Sequence, residues 1–100
     1  MENSQNEPVD RYVTFMNIDC YKHASDVIDS ILEVTKEEKN SNRYWEVFKQ
    51  NIPQSYFDQN SDEKVLYYVC STVFYIEELF EKCDHTKGLD LLKNCEYQCC

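Results

Sequence analysis

The chain has 100 residues, enough for one hydrophobic core without disulfides or a metal. Ten basic against nineteen acidic side chains give a formal charge of −9, which disfavours nucleic acids and anionic membranes, because both bind clustered Lys and Arg. The longest mostly apolar run, Val65 to Ile76, is too short to span a membrane, and the acidic start has no signal-peptide pattern. We therefore expect a cytoplasmic protein.

The first residues of the chain predict an arm ahead of the folded part. Residues 1–9 are polar, acidic and interrupted by Pro8, which is typical of a disordered segment. We expect one helical domain over residues 10–100. Within it, Arg11 to Ile18 alternates like a strand, but no second segment offers a pairing partner. This segment is therefore expected to lie extended over the helices rather than to pair with another chain.

Two helices are predicted in the first half of the domain. From Asp19 onward, apolar residues recur at helical spacing, namely Ala24, Val27, Ile28, Ile31 and Leu32. After the polar stretch K-E-E-K-N-S, Asn40 or Ser41 is the expected cap of a second helix that ends at Pro53. The apolar stripe of this short helix is strongly aromatic and consists of Tyr44, Trp45, Phe48 and Ile52.

Two further helices complete the predicted fold. The third runs from about Ser61 to Cys83 and begins with N-S-D-E, in which Asn60 is the expected cap. Its buried stripe comprises Leu66, Val69, Val73, Ile76, Phe80 and Cys83, widened by Tyr67, Cys70 and Phe74. The fourth follows a cap at Asp84 or Thr86 and carries Leu89, Leu92, Cys95 and Cys99 on one stripe. Four helices with short polar links predict a small all-α bundle.

Three of the six cysteines fall in the terminal C-E-Y-Q-C-C. Cys95 and Cys99 lie one helical turn apart, so with Cys20 and Cys100 they form a candidate soft-metal site, although no C-x-x-C spacing supports it. Thiols packed as small apolar groups, or redox chemistry, are the alternatives. A bond between the adjacent Cys99 and Cys100 is strained, so Cys100 is expected to reach a different helix.

Nothing in the sequence indicates an enzyme or a bound cofactor. We interpret His23 and His85 as surface histidines, and the three glutamates between Glu77 and Glu81 as a solvated helix face. The only glycine is Gly88, so the chain has no glycine-rich loop to bind phosphate. The aromatic content is high, with eight Tyr, five Phe and one Trp, and aromatic side chains often anchor protein interfaces.

Four segments of the chain resemble, in the same order, the CowN family of nitrogen-fixation-sustaining proteins. They are D-R-Y-V-T-F-M-N-I-D-C (10–20), N-R-Y-W-E-V-F (42–48), L-Y-Y-V-C-S-T-V-F-Y-I-E-E-L-F-E (66–81) and G-L-D-L-L-K-N-C-E-Y-Q-C-C (88–100). The opening segment and the terminal C-C are the most specific. The chain departs from the family pattern at Arg43, Tyr44 and Gln98, which leaves the overall pattern intact.

The resemblance implies a non-enzymatic accessory protein that keeps molybdenum nitrogenase working in the presence of carbon monoxide, an inhibitor of that enzyme. The expected partner is nitrogenase, through its molybdenum-iron component. A partner requires an interface, and the candidate interface residues are Arg11, Tyr12, Arg43 and Tyr44. A cysteine-based protein that binds a metal or carbon monoxide, or one that senses redox state, is the alternative.

Overall fold

The computed structural model describes residues 19–100, which are helical for most of their length. The helices are α1 (Cys20–Val34), α2 (Arg43–Gln50), α3 (Gln54–Phe57), α4 (Glu63–Ser71), α5 (Val73–Lys82) and α6 (Thr86–Cys99), with a 3-10 helix at Glu38–Asn40. No β-strand occurs in this part of the chain, and the all-α prediction is confirmed. The predicted arm 1–9, the domain start at residue 10 and the extended segment 11–18 lie outside the described residues.

The core lies between α1 and the helices of the second half. Helix α1 packs against α4 and α6, and α5 packs against α6. The side chains of α1 that meet them are completely buried, namely Cys20, Ala24, Val27, Ile28 and Ile31. Their spacing of three to four residues gives α1 a continuous apolar face, so burial against two helices at once stabilises it.

The predicted third helix is divided at Thr72 into α4 and α5. The Thr72 hydroxyl donates to the Tyr68 carbonyl at 2.8 Å, and the backbone there has φ −121° and ψ 19°, outside the helical range. Apolar periodicity did not reveal the division, because residues on both sides of it, such as Leu66 and Ile76, bury into the same core. The described residues therefore contain more helices than the four predicted.

The helix caps lie one or two residues from their predicted positions. Asn42 rather than Asn40 or Ser41 caps α2, Asp62 rather than Asn60 caps α4, and His85 rather than Asp84 or Thr86 caps α6. A capping side chain must reach the free N–H groups of the first turn, so the start of the helix decides which polar residue can serve. Asn40 instead donates its amide to the Val34 carbonyl at the end of α1, at 3.1 Å.

Aromatic contacts attach α2 to α4. The Phe48 ring stacks on Tyr68 with centroids 4.6 Å apart, and the Tyr68 hydroxyl donates to the Phe48 carbonyl at 2.8 Å. Trp45 packs edge-on against Phe48, and both side chains are buried. The short helix α2 is thus held by tertiary packing rather than by its own propensity.

No helix among residues 19–100 is long and apolar enough to cross a membrane.

Candidate partner-binding surface and cysteine pairs

The start of α2 and the start of α5 share an exposed aromatic pair. Tyr44 stacks on Tyr75 with centroids 4.8 Å apart and planes inclined by 28°, and the two side chains are 38% and 55% exposed. Arg43 and Val47 are exposed on the same helix as Tyr44. We call Arg43, Tyr44, Val47 and Tyr75 the α2–α5 surface. Its members are an exposed cation, an exposed aliphatic group and two stacked rings that carry hydroxyls, and such groups often anchor protein interfaces.

Packing from beneath fixes the α2–α5 surface. The buried Trp45 meets Tyr44 edge-on at 4.8 Å, so the Tyr44 ring is held on two sides. Burial, and then the neighbouring Tyr75, raise the pKa of Tyr44 above its usual value of 10, so its hydroxyl keeps its proton at neutral pH and can donate a hydrogen bond. The other two predicted interface residues, Arg11 and Tyr12, lie outside the described residues.

Four of the six cysteines form two disulfides at the end of α6. We call Cys20–Cys99 the inner disulfide, because Cys20 is completely buried. Cys70–Cys100 is the outer disulfide, because Cys100 is exposed. The inner disulfide joins the end of α6 to the start of α1, and the outer one joins the last residue to α4. The expectation that Cys100 reaches a different helix is confirmed.

The four cysteines of the candidate metal site are not gathered around one point. Cys20 and Cys99 are bonded to each other, Cys100 is bonded to Cys70, and Cys95 is a buried free thiol. Burial, and then the nearby Glu96, raise the pKa of Cys95 to about 11, so it stays protonated at neutral pH. Nowhere in residues 19–100 do three or more His, Cys, Asp or Glu side chains form a group that could hold a metal ion. The structure therefore does not bring these four cysteines together as one set of ligands.

Among residues 19–100, the three most exposed large apolar side chains lie near the outer disulfide in sequence. Tyr67 (74% exposed) and Tyr97 (89%) each precede one of its cysteines by three residues, while Phe74 (80%) follows Cys70 by four. Tyr67 shares a face of α4 with Cys70, and Tyr97 lies one turn before Cys100 at the end of α6. Both helices therefore carry an exposed aromatic residue close in sequence to the outer disulfide, whereas Phe74 lies on α5 beyond the break at Thr72. The prediction that Tyr67 and Phe74 widen the buried stripe is wrong, because that flank of α4 and α5 faces outward.

His85 is a capping residue rather than the surface histidine predicted. Its Nδ1 accepts a hydrogen bond from the Gly88 N–H at 2.9 Å, its ring packs on Phe80, and Nε2 lies 3.8 Å from a Glu33 carboxylate oxygen. A Cβ on Gly88 would lie 2.6 Å from His85 Nδ1, so the cap requires glycine there. His23 is half-buried, and its Nδ1 has no hydrogen-bond partner.

A polar cleft of about 760 Å³ separates α1 from the loop between α3 and α4. Its ionisable and hydroxyl groups pair with one another: the Lys22 ammonium contacts the Asp26 carboxylate at 3.3 Å, and the Tyr56 hydroxyl donates to Asp29. These contacts stabilise the fold, and they explain why ionisable and hydroxyl groups line the cleft. The two disulfides at the end of α6, together with Tyr67 and Tyr97, are called the disulfide end. The α2–α5 surface and the disulfide end remain the two candidate functional regions among residues 19–100.

Comparison with known proteins identifies the family. The family model described as "N2-fixation sustaining protein CowN" matches residues 4–100. The chain belongs to the CowN family. The member from Wolinella succinogenes is 41% identical over 103 residues, covering 100% of this chain and 89% of the relative. The member from Denitrovibrio acetiphilus is 44% identical, covering 89% and 88%, and that from Arcobacter nitrofigilis is 39% identical, covering all of both chains.

Each of these CowN relatives bears the name "N(2)-fixation sustaining protein CowN". No solved structure matches the chain significantly. Three of the four CowN segments lie within the described residues and contribute to the two regions described above, although Arg43 and Tyr44 are departures from the family pattern. N-R-Y-W forms the start of α2 and contributes Tyr44 to the α2–α5 surface, and the terminal C-C supplies one sulfur to each disulfide.

Proposed function

We propose that this protein is a non-enzymatic accessory protein that sustains nitrogen fixation by protecting molybdenum nitrogenase from carbon monoxide. Direct binding to nitrogenase, through its molybdenum-iron component, is the proposed mode of action, and it implies a cytoplasmic location. One observation supports the role above all others: the CowN family model, named for sustaining nitrogen fixation, matches residues 4–100. Protection from carbon monoxide and direct binding are finer statements than the family name, and they are what must be tested.

The α2–α5 surface supports a binding mechanism. Its rings are already stacked and held by Trp45, so little side-chain entropy remains to be lost when a partner docks. Arg43, which precedes Tyr44 on α2, adds an exposed cation on a chain that is acidic overall. A partner with an apolar site and an acidic group next to it would suit this combination.

Binding alone can relieve inhibition without any chemistry at the inhibitor. A partner that binds more tightly to the nitrogenase state with low affinity for carbon monoxide shifts the enzyme toward that state. Each tenfold loss of apparent carbon monoxide affinity needs about 1.4 kcal/mol of difference in binding free energy between the two states. A few well-packed aromatic contacts supply differences of this size.

Titration of the purified protein into nitrogenase under a fixed pressure of carbon monoxide tests the proposal. We expect substrate reduction to recover and to saturate near stoichiometric amounts relative to nitrogenase, with weaker recovery at high salt if Arg43 contributes. Unchanged inhibition at every ratio would exclude the proposal. Scavenging would be favoured if the amount of protein needed for recovery rose with the amount of dissolved carbon monoxide and the anaerobically purified protein contained bound metal.

A pair of variants assigns the binding surface. Tyr44→Ala with Tyr75→Ala removes the exposed stack, and we expect the concentration for half-maximal protection to rise about tenfold or more. Phe57→Ala is the matched control, because Phe57 is a comparably exposed aromatic residue that lies on α3. Equal effects of the two variants would exclude the α2–α5 surface as the binding site. They would not argue against protection itself. Anaerobic cross-linking to nitrogenase then locates the contact.

A further inference from the structure

The two disulfides differ in how far a reagent can reach them. Cys20 of the inner disulfide is completely buried and Cys99 is half-buried. In the outer disulfide, Cys100 is exposed and Cys70 is half-buried. An external thiolate must approach a disulfide sulfur directly, and exposed disulfides are the ones that commonly exchange. Adjacent residues of one chain end thus hold one protected and one accessible disulfide.

We propose that the outer disulfide Cys70–Cys100 is a thiol-disulfide exchange site for dithiol reductants, and that its reduction releases the end of α6 from α4. The inner disulfide remains and keeps the same helix on α1. The terminal C-C therefore divides its two sulfurs between a structural bond and a reversible one. This inference does not depend on nitrogenase binding, because it concerns only bonds within the chain.

The exchange follows the ordinary chemistry of disulfides. A thiolate of the dithiol attacks Sγ of Cys100, the bond between the two protein sulfurs breaks, and its electron pair leaves on Sγ of Cys70, which takes a proton from water. The second thiolate of the reductant then attacks its own sulfur in the mixed disulfide and displaces Cys100 as a thiolate. The protein gains two thiols, and the dithiol is oxidised to a disulfide.

The position of Cys100 and the burial of the two free cysteines make attack of these thiols on the inner disulfide unfavourable. A bond between Cys100 and the adjacent Cys99 would be strained, so Cys100 is a poor attacker of its neighbour. Cys95 lies one turn before Cys99 on α6, but it is buried and mostly protonated, and a protonated thiol does not attack. Cys83 is half-buried, and burial also raises its pKa. Reduction is therefore expected to stop after one disulfide.

Reduction has a structural consequence at the exposed end of the molecule. The outer disulfide is a direct cross-link between α4, which carries Tyr67, and the chain end, where Tyr97 lies. Once it opens, the end of α6 is connected to α4 only by the backbone through α5, by the inner disulfide through α1 and by non-covalent contacts. The relative position of these two aromatic side chains then depends on the redox state of the protein.

Differential alkylation of the full chain tests the order of reduction. Free thiols of the oxidised protein are first blocked with a light maleimide, dithiothreitol is titrated, and newly formed thiols are labelled with a heavy maleimide after an acid quench. We expect heavy label on Cys70 and Cys100 about tenfold or more faster than on Cys20 and Cys99. Simultaneous labelling, earlier labelling of the inner pair, or failure of Cys70 and Cys100 to pair under oxidation would overturn the proposal.

A double variant and hydrogen exchange test the structural consequence. In Cys70→Ser with Cys100→Ser, the fast reduction phase should vanish while the slow phase stays. In the native chain, reduction of the outer disulfide should speed amide exchange in the last turn of α6 and leave the first turn, capped by His85, unchanged. Unchanged exchange in the last turn would show that reduction does not release the helix end, and the release would be rejected.

Discussion

The α2–α5 surface and the disulfide end both present exposed aromatic side chains, but different forces hold them in place. At the α2–α5 surface, Tyr44 and Tyr75 stack on each other above the buried Trp45. At the disulfide end, Tyr67 and Tyr97 lie on helices joined by the outer disulfide, and both are far more exposed than Tyr44. Packing keeps the first region in shape under any redox condition, whereas the second changes with its cysteines.

Removing the inner disulfide should produce the largest effect. In the chain-entropy account, a disulfide across 79 residues stabilises the oxidised protein by roughly 4 to 5 kcal/mol, against roughly 3 to 4 kcal/mol for the outer one across 30 residues. Cys20→Ser should therefore lower the free energy of unfolding more than Cys100→Ser, as measured by urea denaturation of the oxidised proteins. In excess dithiol Cys100→Ser should match the parent, and a persisting deficit there would contradict the prediction.

Phe48→Ala should affect the α2–α5 side almost as strongly. Phe48 is buried, stacks on Tyr68 and supports Trp45, so its removal should cost about 3 to 5 kcal/mol and loosen α2. Val47→Ala is the matched control, because Val47 is the exposed neighbour on the same helix, and it should cost less than about 1 kcal/mol. Equal costs in urea denaturation would show that α2 is not held by this packing.

The start of α6 provides a reference for its disulfide-bound end. Gly88→Ala should cost about 1 to 3 kcal/mol, because the new Cβ would lie 2.6 Å from His85 Nδ1 and 3.0 Å from the Phe80 ring. His85→Ala removes the cap and the ring contact with Phe80, and should cost about 1 to 2 kcal/mol. A Gly88→Ala chain as stable as the parent in thermal unfolding would mean that the cap does not require the close approach.

The smallest expected effect is the pH dependence due to Cys95, which lies on α6 one turn before the inner disulfide. Its folded pKa of about 11 exceeds the usual 9, so the folded state keeps a proton that the unfolded state has lost. The stability that this group contributes is fully present below about pH 9 and falls by up to about 2 kcal/mol as the pH approaches 11. Cys95→Ala should flatten this part of the stability curve, and an unchanged slope would assign it to other groups.

Much of the fold could be predicted because it depends on short-range patterns. The apolar spacing from Ala24 to Ile31 predicted α1, and the run ending in Cys99 predicted α6. Thr72 shows the limit of such patterns. The division there depends on a hydroxyl bond to one carbonyl and on how two halves meet a common core, and neither changes the apolar period.

The all-α class, the aromatic character of α2 and the resemblance to the CowN family could be predicted from the chain alone, because helical periodicity and family segments are properties of neighbouring residues. The pairing of the cysteines and the exposure of the aromatic side chains depend instead on how the helices pack. A disulfide requires two Cα atoms within about 7 Å, and Cys20 and Cys99 reach 5.6 Å only after α1 and α6 have packed together. Likewise, periodicity places Phe74 beside a stripe, but the neighbouring helices decide whether anything covers it.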